Sequence, residues 1–471
     1  MNFSRHKREP FNPSKPRGIT DRRRHSAFRL SLRQKKEDGG AFRQDFPIIQ
    51  LQGRYRPLGI DAIEISAGFS LVRCKIHALQ IKVYPSLKGR DMGGHGTGAG
   101  GIVKFHVALP ADHGGFWTVG TAGCGAPTYF RDIFLMTVQH WVNRVTHHLW
   151  YDKSSASPLL APLGRAYGQG VGLVHEAYRS GRIKTLVLPV PVIVVGNITV
   201  GGTGKTPLTI WIAQMLKQQG LRPGIISRGY GGITPRRPLD VTFNTSPRLA
   251  GDEPVMMARK TGCPVSVFPR RVDAAYSLIN RYNVDVIIAD DGLQHHELGR
   301  DIEIAVVDGS RGFGNGHLLP AGPLREPVER LASVDFIISN GKGETDGLVM
   351  QLQPGRITNL RQRCMKRSVE AFDGETVHAV AGIGNPDRFF QSLKRQGLKI
   401  EPHAFPDHHA YTRRDFDFAK DDPIIMTEKD AIKCQAFASE NLWYQPVEAV
   451  LPAEFPSLLM KTLREKFNAR T

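Results

Sequence analysis

Downstream of residue 185 the apolar residues fall in short unbroken runs of strand length, at 192–195, 223–227, 264–268, 284–290, 302–308, 334–339, 377–383 and 423–427. Between the runs they recur at helical spacing, as Leu208, Ile212 and Leu216 do within 207–219. A strand apolar at every position is buried on both faces, as in a parallel sheet. Such runs alternating with helical stretches predict an α/β fold, a mostly parallel sheet flanked by helices. The largely polar, irregular stretch 341–367 divides this pattern into a core at 186–345 and a smaller C-terminal α/β lobe at 346–471.

Upstream the pattern changes twice. Within 136–185, Trp141, Val145, Leu149 and Trp150, then Leu159, Leu160, Leu163, Tyr167, Val171, Val174 and Tyr178, line up as the apolar faces of two helices. Lys153, Arg165, Arg179, Arg182 and Lys184 punctuate them. These helices pack on the core domain, or lie in a membrane interface with their basic residues at anionic head groups, or do both. Residues 1–45 are rich in Arg, Lys, Ser and Gly and are expected to be disordered. The segment 46–135 holds strand-like runs, such as 79–84, without a sustained pattern. Gly96, Gly98 and Gly101 match G-x-G-x-x-G, but no strand leads in and no helix follows, so a dinucleotide site is not expected.

The first core strand runs directly into Thr199, Val200, Gly201, Gly202, Thr203, Gly204, Lys205 and Thr206, with a helical pattern behind them. Backbone amides and a helix N-terminus converging on one concavity bind phosphate, and glycines remove the Cβ atoms that would block the approach. Lys205 can reach the β- and γ-phosphates, and the Thr206 hydroxyl can ligate Mg²⁺. Thr199 stands where the usual phosphate loop has its first glycine. A nucleotide site of the P-loop NTPase kind is expected.

Other candidates sit at the ends of predicted strands, where open α/β sheets bind their ligands. The run 284–290 ends in Asp290 and Asp291, and an acid at the tip of a strand near a phosphate loop holds Mg²⁺ directly or through water. Asp252 and Glu253 precede a helical pattern, as an N-cap or as functional carboxylates. Arg325, in the rigid turn 320–326, and Arg271, after the run 264–268, carry planar guanidinium groups suited to phosphate oxygens, or lie on the surface. Asp407, His408 and His409 are adjacent titratable groups in a loop, either solvated or catalytic.

Composition changes the picture little. With 471 residues, 41% hydrophobic and 23% charged, the chain has the make-up of a globular protein of two or three domains. Five scattered cysteines without C-x-x-C spacing indicate neither a disulfide framework nor a cysteine-ligated zinc, and fit a reducing compartment. No apolar run reaches the roughly 18 residues that span a bilayer, and no secretory signal follows the basic N-terminus. Of the net charge of +19, about +12 lies in residues 1–135. That distribution fits a solvated basic tail better than a nucleic-acid surface.

Taken in order, VVGNITVGGTGKTP, SRGYGG (227–232), GDEP, DDGLQH, RDIEI (300–304), LLPAGPLREP (318–327), FPDHHAY and MTEKDAIK (426–433) resemble the tetraacyldisaccharide 4′-kinases, the lipid A 4′-kinases of bacterial outer-membrane biosynthesis. The resemblance covers about residues 136–471, including the N-terminal apolar helices, and the Thr199 substitution is usual in that family. Residues 1–135 have no counterpart in it; they are an appended segment or belong to a reading frame that begins upstream of a start near Met136. The resemblance implies ATP- and Mg²⁺-dependent phosphorylation of the 4′-hydroxyl of a lipid-linked glucosamine disaccharide 1-phosphate, at the cytoplasmic face of the bacterial inner membrane and without a nucleic-acid partner. It assigns Lys205 and Thr206 to the phosphate loop, Asp290 and Asp291 to the metal acids, and Asp252 to the carboxylate that activates the sugar hydroxyl, paired with His408. Arg271, Gln294, His295, Arg325 and Glu326 fall at positions associated with substrate and phosphate. Two other classes share part of this pattern. A phosphate-loop GTPase or metal-insertion ATPase would have the loop and the strand-end acid, yet Thr427-Glu428-Lys429-Asp430 sets its lysine one place late for a guanine-specific N/T-K-x-D. A nucleic-acid-binding protein would rest on the basic first 45 residues.

Overall fold

The computed structural model describes residues 31–33, 48–51, 65–67, 79–83, 105–107, 117–119, 149–151, 160–343 and 346–470, and the chain divides between Phe134 and Leu135 into two units. In the first unit β1 (Ser31–Arg33), β2 (Ile48–Leu51), β3 (Ile65–Ala67) and β4 (Leu79–Val83) form a four-stranded sheet in the order β1-β2-β4-β3. A separate pair joins β5 (Phe105–Val107) to β6 (Trp117–Val119). Residues 31–33 of the tail expected to be disordered thus belong to a strand; its other residues, and the glycine stretch 96–101, lie outside the described residues.

The second unit is built on a nine-stranded sheet. Its central members β7 (Val192–Gly196), β8 (Pro223–Ser227) and β11 (Val286–Asp290) are buried at every residue, as their uninterrupted apolar runs predict. β10 (Val265–Val267), β12 (Ile302–Asp308), β13 (Phe336–Asn340) and β14 (Leu348–Pro354) extend it in parallel. Antiparallel β9 (Leu239–Val241) and β21 (Val447–Val450) close the two edges, giving the order β21-β14-β13-β12-β7-β11-β8-β10-β9. Successive side chains of a strand point to opposite faces, so Ile193 and Val195 enter one core and Val192 and Val194 the other.

Helices cover both faces. In chain order these are α1 (Ala161–Arg179), α2 (Lys205–Gln218), the single turn α3 (Pro247–Ala250), α4 (Asp252–Thr261) and α5 (Arg271–Tyr282). A six-stranded sheet forms the second lobe in the order β16-β15-β20-β19-β17-β18, from β15 (Ile357–Asn359), β16 (Lys366–Arg367), β17 (Val377–Ala381), β18 (Ile400–Ala404), β19 (Ile424–Thr427) and β20 (Leu442–Gln445). With it go α6 (Pro386–Arg395) and α7 (Glu428–Cys434).

The lobe boundary differs from the sequence reading in two ways. The stretch 341–367 is not irregular: it supplies β14, β15 and β16. β14 and β16 bury few side chains, only Met350 of β14 being fully enclosed, and β15, though buried throughout, fills two of its three positions with the polar Thr358 and Asn359, so no apolar run marks these strands. The segment 346–471 is also shared between the sheets, because β21 returns to pair with β14 and α8 (Phe455–Arg470) packs on the first core. There Phe455, fully buried, lies against Trp211 at 5.6 Å and Phe336 at 5.3 Å between ring centroids.

Of the two upstream helices, Trp141, Val145 and Leu159 lie outside the described residues, and 149–151 form a helical turn. α1 meets the core through glycines rather than leucines: Gly164 abuts Leu318 and Ala321, and Gly168 abuts Leu318. Its Leu163, Leu173 and Val174 side chains stand exposed, Leu173 at 72% and Leu163 at 56%. Among the described residues no helix is long and apolar enough to cross a membrane.

Because α8 closes the first core, Phe455→Ala is expected to cost about 3–5 kcal/mol of stability, the usual range for emptying a buried phenylalanine site. Denaturant unfolding of the full chain measures it; a loss under about 1 kcal/mol would show that the C-terminal helix is not part of that core.

Candidate active site

Parallel pairing brings the chemistry together at one end of the first sheet. Asp290, the last residue of β11, stands opposite Val195 of β7, one residue before the chain leaves that strand toward the phosphate loop. The loop enters α2 through Gly204, at φ 98°. A Cβ there would lie 2.6 Å from Asn340 Nδ2, so conformation and space both demand glycine. Asn340 Nδ2 in turn donates to the Thr203 carbonyl at 2.9 Å. The turn around Arg325 fixes the other side of the loop: Val200 N donates to the Pro323 carbonyl at 2.8 Å and Arg325 N to that of Ile198 at 2.7 Å.

Lys205 Nζ donates to Asn197 Oδ1 at 3.0 Å and lies 3.5 Å from Asp291 Oδ1. The fully buried Asn197 also donates to the Thr199 carbonyl at 2.7 Å, holding the lysine and the loop backbone in one frame. The buried Thr203 hydroxyl has no hydrogen-bond partner among the described residues, an open donor inside a phosphate-binding loop.

The two strand-end acids behave differently. Asp290 is fully buried, accepts a hydrogen bond from Thr209 Oγ1 at 3.2 Å, and is pushed up to about 7 by burial and by the charges of Glu253 and Asp291. Burial also raises Asp291, but Lys205 and Arg325 outweigh it and hold that carboxyl below its ordinary range. Arg325 Nη1 donates to both Asp291 oxygens at 3.1 Å and to Gln294 Oε1 at 3.3 Å.

Gln294 Nε2 donates to the Asn197 carbonyl at 3.0 Å and to Glu326 Oε1 at 2.6 Å. Glu326, 1% exposed, is further enclosed by Arg330 and His175, each 3.2 Å from Oε2. It therefore orients Gln294 rather than facing an acceptor. Arg271 is buried, donates from Nη2 to the Asp291 carbonyl at 3.4 Å, and is drawn down to about 10 by desolvation. His295 accepts from the Arg271 amide at 3.3 Å and is lowered to about 4 by burial and then by the Arg271 charge, so its ring is neutral at pH 7.

Asp252 opens α4 and is 3% exposed. Its Oδ2 lies 3.2 Å from His408 Nδ1, and its Oδ1 accepts from the Glu253 amide at 3.0 Å. Burial raises Asp252, yet His408 and Lys429 more than offset it and leave the carboxyl below its usual value. The same close pairing with Asp252 raises His408. His408, at φ 61°, is stacked edge-on by Tyr230 at 5.0 Å.

Three contributors were missed in the sequence. Lys429 sits 3.0 Å from Glu253, 3.3 Å from Asp407 and 3.9 Å from Asp252, joining the second lobe to the start of α4. Arg388 of α6 donates to Asn340 Oδ1 at 2.9 Å, behind the phosphate loop. Asn197, a polar amide ending an apolar strand, was the one of the three with a readable signal.

A loop of this shape, with paired acids at its side and an Asp–His pair close by, is built for phosphoryl transfer to an acceptor hydroxyl. Residues 156–464 match the family model described as tetraacyldisaccharide-1-P 4′-kinase. The chain belongs to the tetraacyldisaccharide 4′-kinase family. It is 48% identical over 328 residues to the tetraacyldisaccharide 4′-kinase of Nitrosococcus oceani, covering 68% of this chain and 96% of that protein. With the Pseudomonas aeruginosa member it shares 46% over 304 residues, 64% of this chain and 91% of the other. A crystal structure of the family's LpxK from Aquifex aeolicus, in an "apo" form in complex with ATP, superposes with a TM-score of 0.56 at 29% identity, over 64% of this chain and 98% of that one. The expected family and α/β kinase fold are thereby borne out.

A carboxyl whose folded pKa is raised contributes stability as the protonated form. That stability is complete below its unfolded value and is lost as pH rises through about 7 for Asp290. Asp290→Asn keeps an acceptor for Thr209 without the charge. In the absence of nucleotide and metal the variant is expected to be more stable than the natural chain at pH 8, the gap narrowing toward pH 4. Denaturant midpoints across that range measure it, and a pH-independent gap would contradict the assignment.

Proposed function

We propose that this chain transfers the γ-phosphate of ATP to the 4′-hydroxyl of a tetraacyldisaccharide 1-phosphate, giving the 4′-phosphate of a lipid A precursor. The observation that carries the reading is the Asp252–His408 pair set beside a phosphate loop and its strand-end acids, within a chain of the 4′-kinase family.

In this mechanism the amides of residues 199–206 and Lys205 receive the β- and γ-phosphates, and the unpartnered Thr203 hydroxyl adds a donor. Thr206, Asp290 and Asp291 are the residues that would hold Mg²⁺. Their all-oxygen donor set suits a hard cation, and the burial and neighbouring negative charge that lift Asp290 are what a divalent ion would offset. Bound there, Mg²⁺ supplies neutralisation of phosphate charge. The acceptor oxygen forms its bond to the γ-phosphorus as the bond from that phosphorus to the β,γ-bridging oxygen breaks, and ADP leaves. The transition state is loose, so positioning and charge compensation by Lys205, Arg325 and Arg271 matter most. Asp252 takes the hydroxyl proton; it is ionised at neutral pH and held by His408 and the Glu253 amide.

The lipid acceptor calls for a membrane-facing surface. Leu163, Leu173 and Val174 of α1, with Ile183 and Val187 just beyond it, are exposed beside Arg165, Arg179, Arg182 and Lys184. An apolar stripe with a basic border suits peripheral attachment to an anionic membrane, at the cytoplasmic face of the bacterial inner membrane where ATP is available.

With labelled ATP, Mg²⁺ and detergent-solubilised disaccharide 1-phosphate lipid, label is expected in the lipid, to vanish with Lys205→Ala, and to fall about 10²- to 10⁴-fold with Asp252→Ala. Nucleotide hydrolysis without labelled lipid would return the site to a phosphate-loop ATPase. Co-flotation with anionic vesicles is expected for the full chain and reduced with Leu163→Glu/Leu173→Glu; unchanged flotation would remove α1 from the membrane surface.

A further inference from the structure

The six-stranded sheet carries a second polar cluster, apart from the transfer site. His378 of β17 stands directly opposite Glu401 of β18 in a parallel pair, and His403 follows two residues on, so all three share one face. His378 Nδ1 lies 3.0 Å from His403 Nε2 and 3.3 Å from Glu401 Oε2, and the three ligand atoms are all within 4.8 Å of one another. The ring of Phe418 stacks on His403 at 3.8 Å and 13°, fixing its plane.

These are the spacings of a metal's ligands. A tetrahedral Zn²⁺ with N and O donors at about 2.0–2.1 Å holds its ligand atoms about 3.3 Å apart. Two imidazoles with a carboxylate favour zinc and its neighbours over Mg²⁺. A ligating histidine also commonly gives its second N–H to a carboxylate, and Asp422 Oδ2 is 3.6 Å from His378 Nε2. His378 is buried, whereas the Glu401 side chain is 60% exposed and leaves the cluster open to incoming ions.

A second group, His175, His296 and Glu326, also falls within ligand distance. There Glu326 is already committed to Gln294 and Arg330, and the guanidinium opposes another cation.

We propose that His378 Nδ1, His403 Nε2 and Glu401 Oε2 bind a divalent transition metal of the zinc class, distinct from the Mg²⁺ of the transfer reaction. The ion ties edge strand β18 to β17, and through Asp422 to the turn before β19. Its role is to hold the second lobe together, not to act on substrate.

The test uses the untagged full chain, stripped with chelator and kept in millimolar Mg²⁺ to occupy oxygen-only sites. Titration with Co²⁺ is expected to give one equivalent with the visible absorption of a four-coordinate ion, and Zn²⁺ to displace it and raise the Tm. Glu401→Gln/His403→Asn is expected to lose the band and the Zn²⁺-dependent Tm shift while keeping kinase activity; His175→Asn/His296→Asn is expected to keep both signals. Should the double variant unfold early without metal, Glu401→Gln alone, at an exposed side chain, decides: it must weaken Co²⁺ binding at least about tenfold. No band in the natural chain, or a band that survives these substitutions, overturns the proposal.

Discussion

Four carboxylates, Asp252, Glu253, Asp290 and Asp291, gather at the carboxyl ends of the parallel strands, and the structure around them depends on containing that charge. Buried like charges repel strongly at low dielectric, and an unpaired buried ion destabilises a fold by several kcal/mol. Each acid is met differently. Asp291 has Lys205 and Arg325, Asp252 has His408 and Lys429, and Glu253 has Lys429. Asp290 faces the excess, with a hydroxyl as its hydrogen-bond partner and a carboxyl raised to about 7.

This containment makes the two lobes one machine. Lys429 and His408 come from the lobe built on the six-stranded sheet, while Asp252 and Glu253 open a helix on the nine-stranded one. Lys260 of α4 reaches back to Glu428 of α7 at 2.9 Å, so the same helix is tied to the second lobe at both ends. Arg388 braces the phosphate loop from behind through Asn340. The proposed general base is thus aligned only when both sheets are in place, which couples acceptor activation to the packing of lobes far apart in sequence.

Much of this was legible from local pattern. Uninterrupted apolar runs marked β7, β8, β11 and β12 because central parallel strands bury both faces. The glycine loop and the acid-tipped strand were readable because phosphate and metal chemistry need those residue types in that local order. Strands β14, β15, β16, β18 and β21 were not readable: β14, β16, β18 and β21, at or near sheet edges, enclose few side chains, and β15 buries the polar Thr358 and Asn359, so no apolar signal survives. The structural parts played by Glu326, Lys429 and Arg388 were hidden for a related reason. A charged residue in the sequence looks the same whether it faces water or a buried partner 150 residues away.

The chain by itself determined the parallel core, the phosphate loop, and a set of motifs ordered enough to name the family, since each is encoded over a few residues and needs no distant partner. Only the tertiary structure decided that β21 and α8 return to the first sheet, that the Asp252–His408 pair implied by the family resemblance is buried and braced by Lys429, that Asp290 and Asp291 carry different protonation tendencies, and that His378, Glu401 and His403 converge. Those outcomes follow from strand order, register and burial, which place side chains within a few ångströms of one another whatever their separation along the chain.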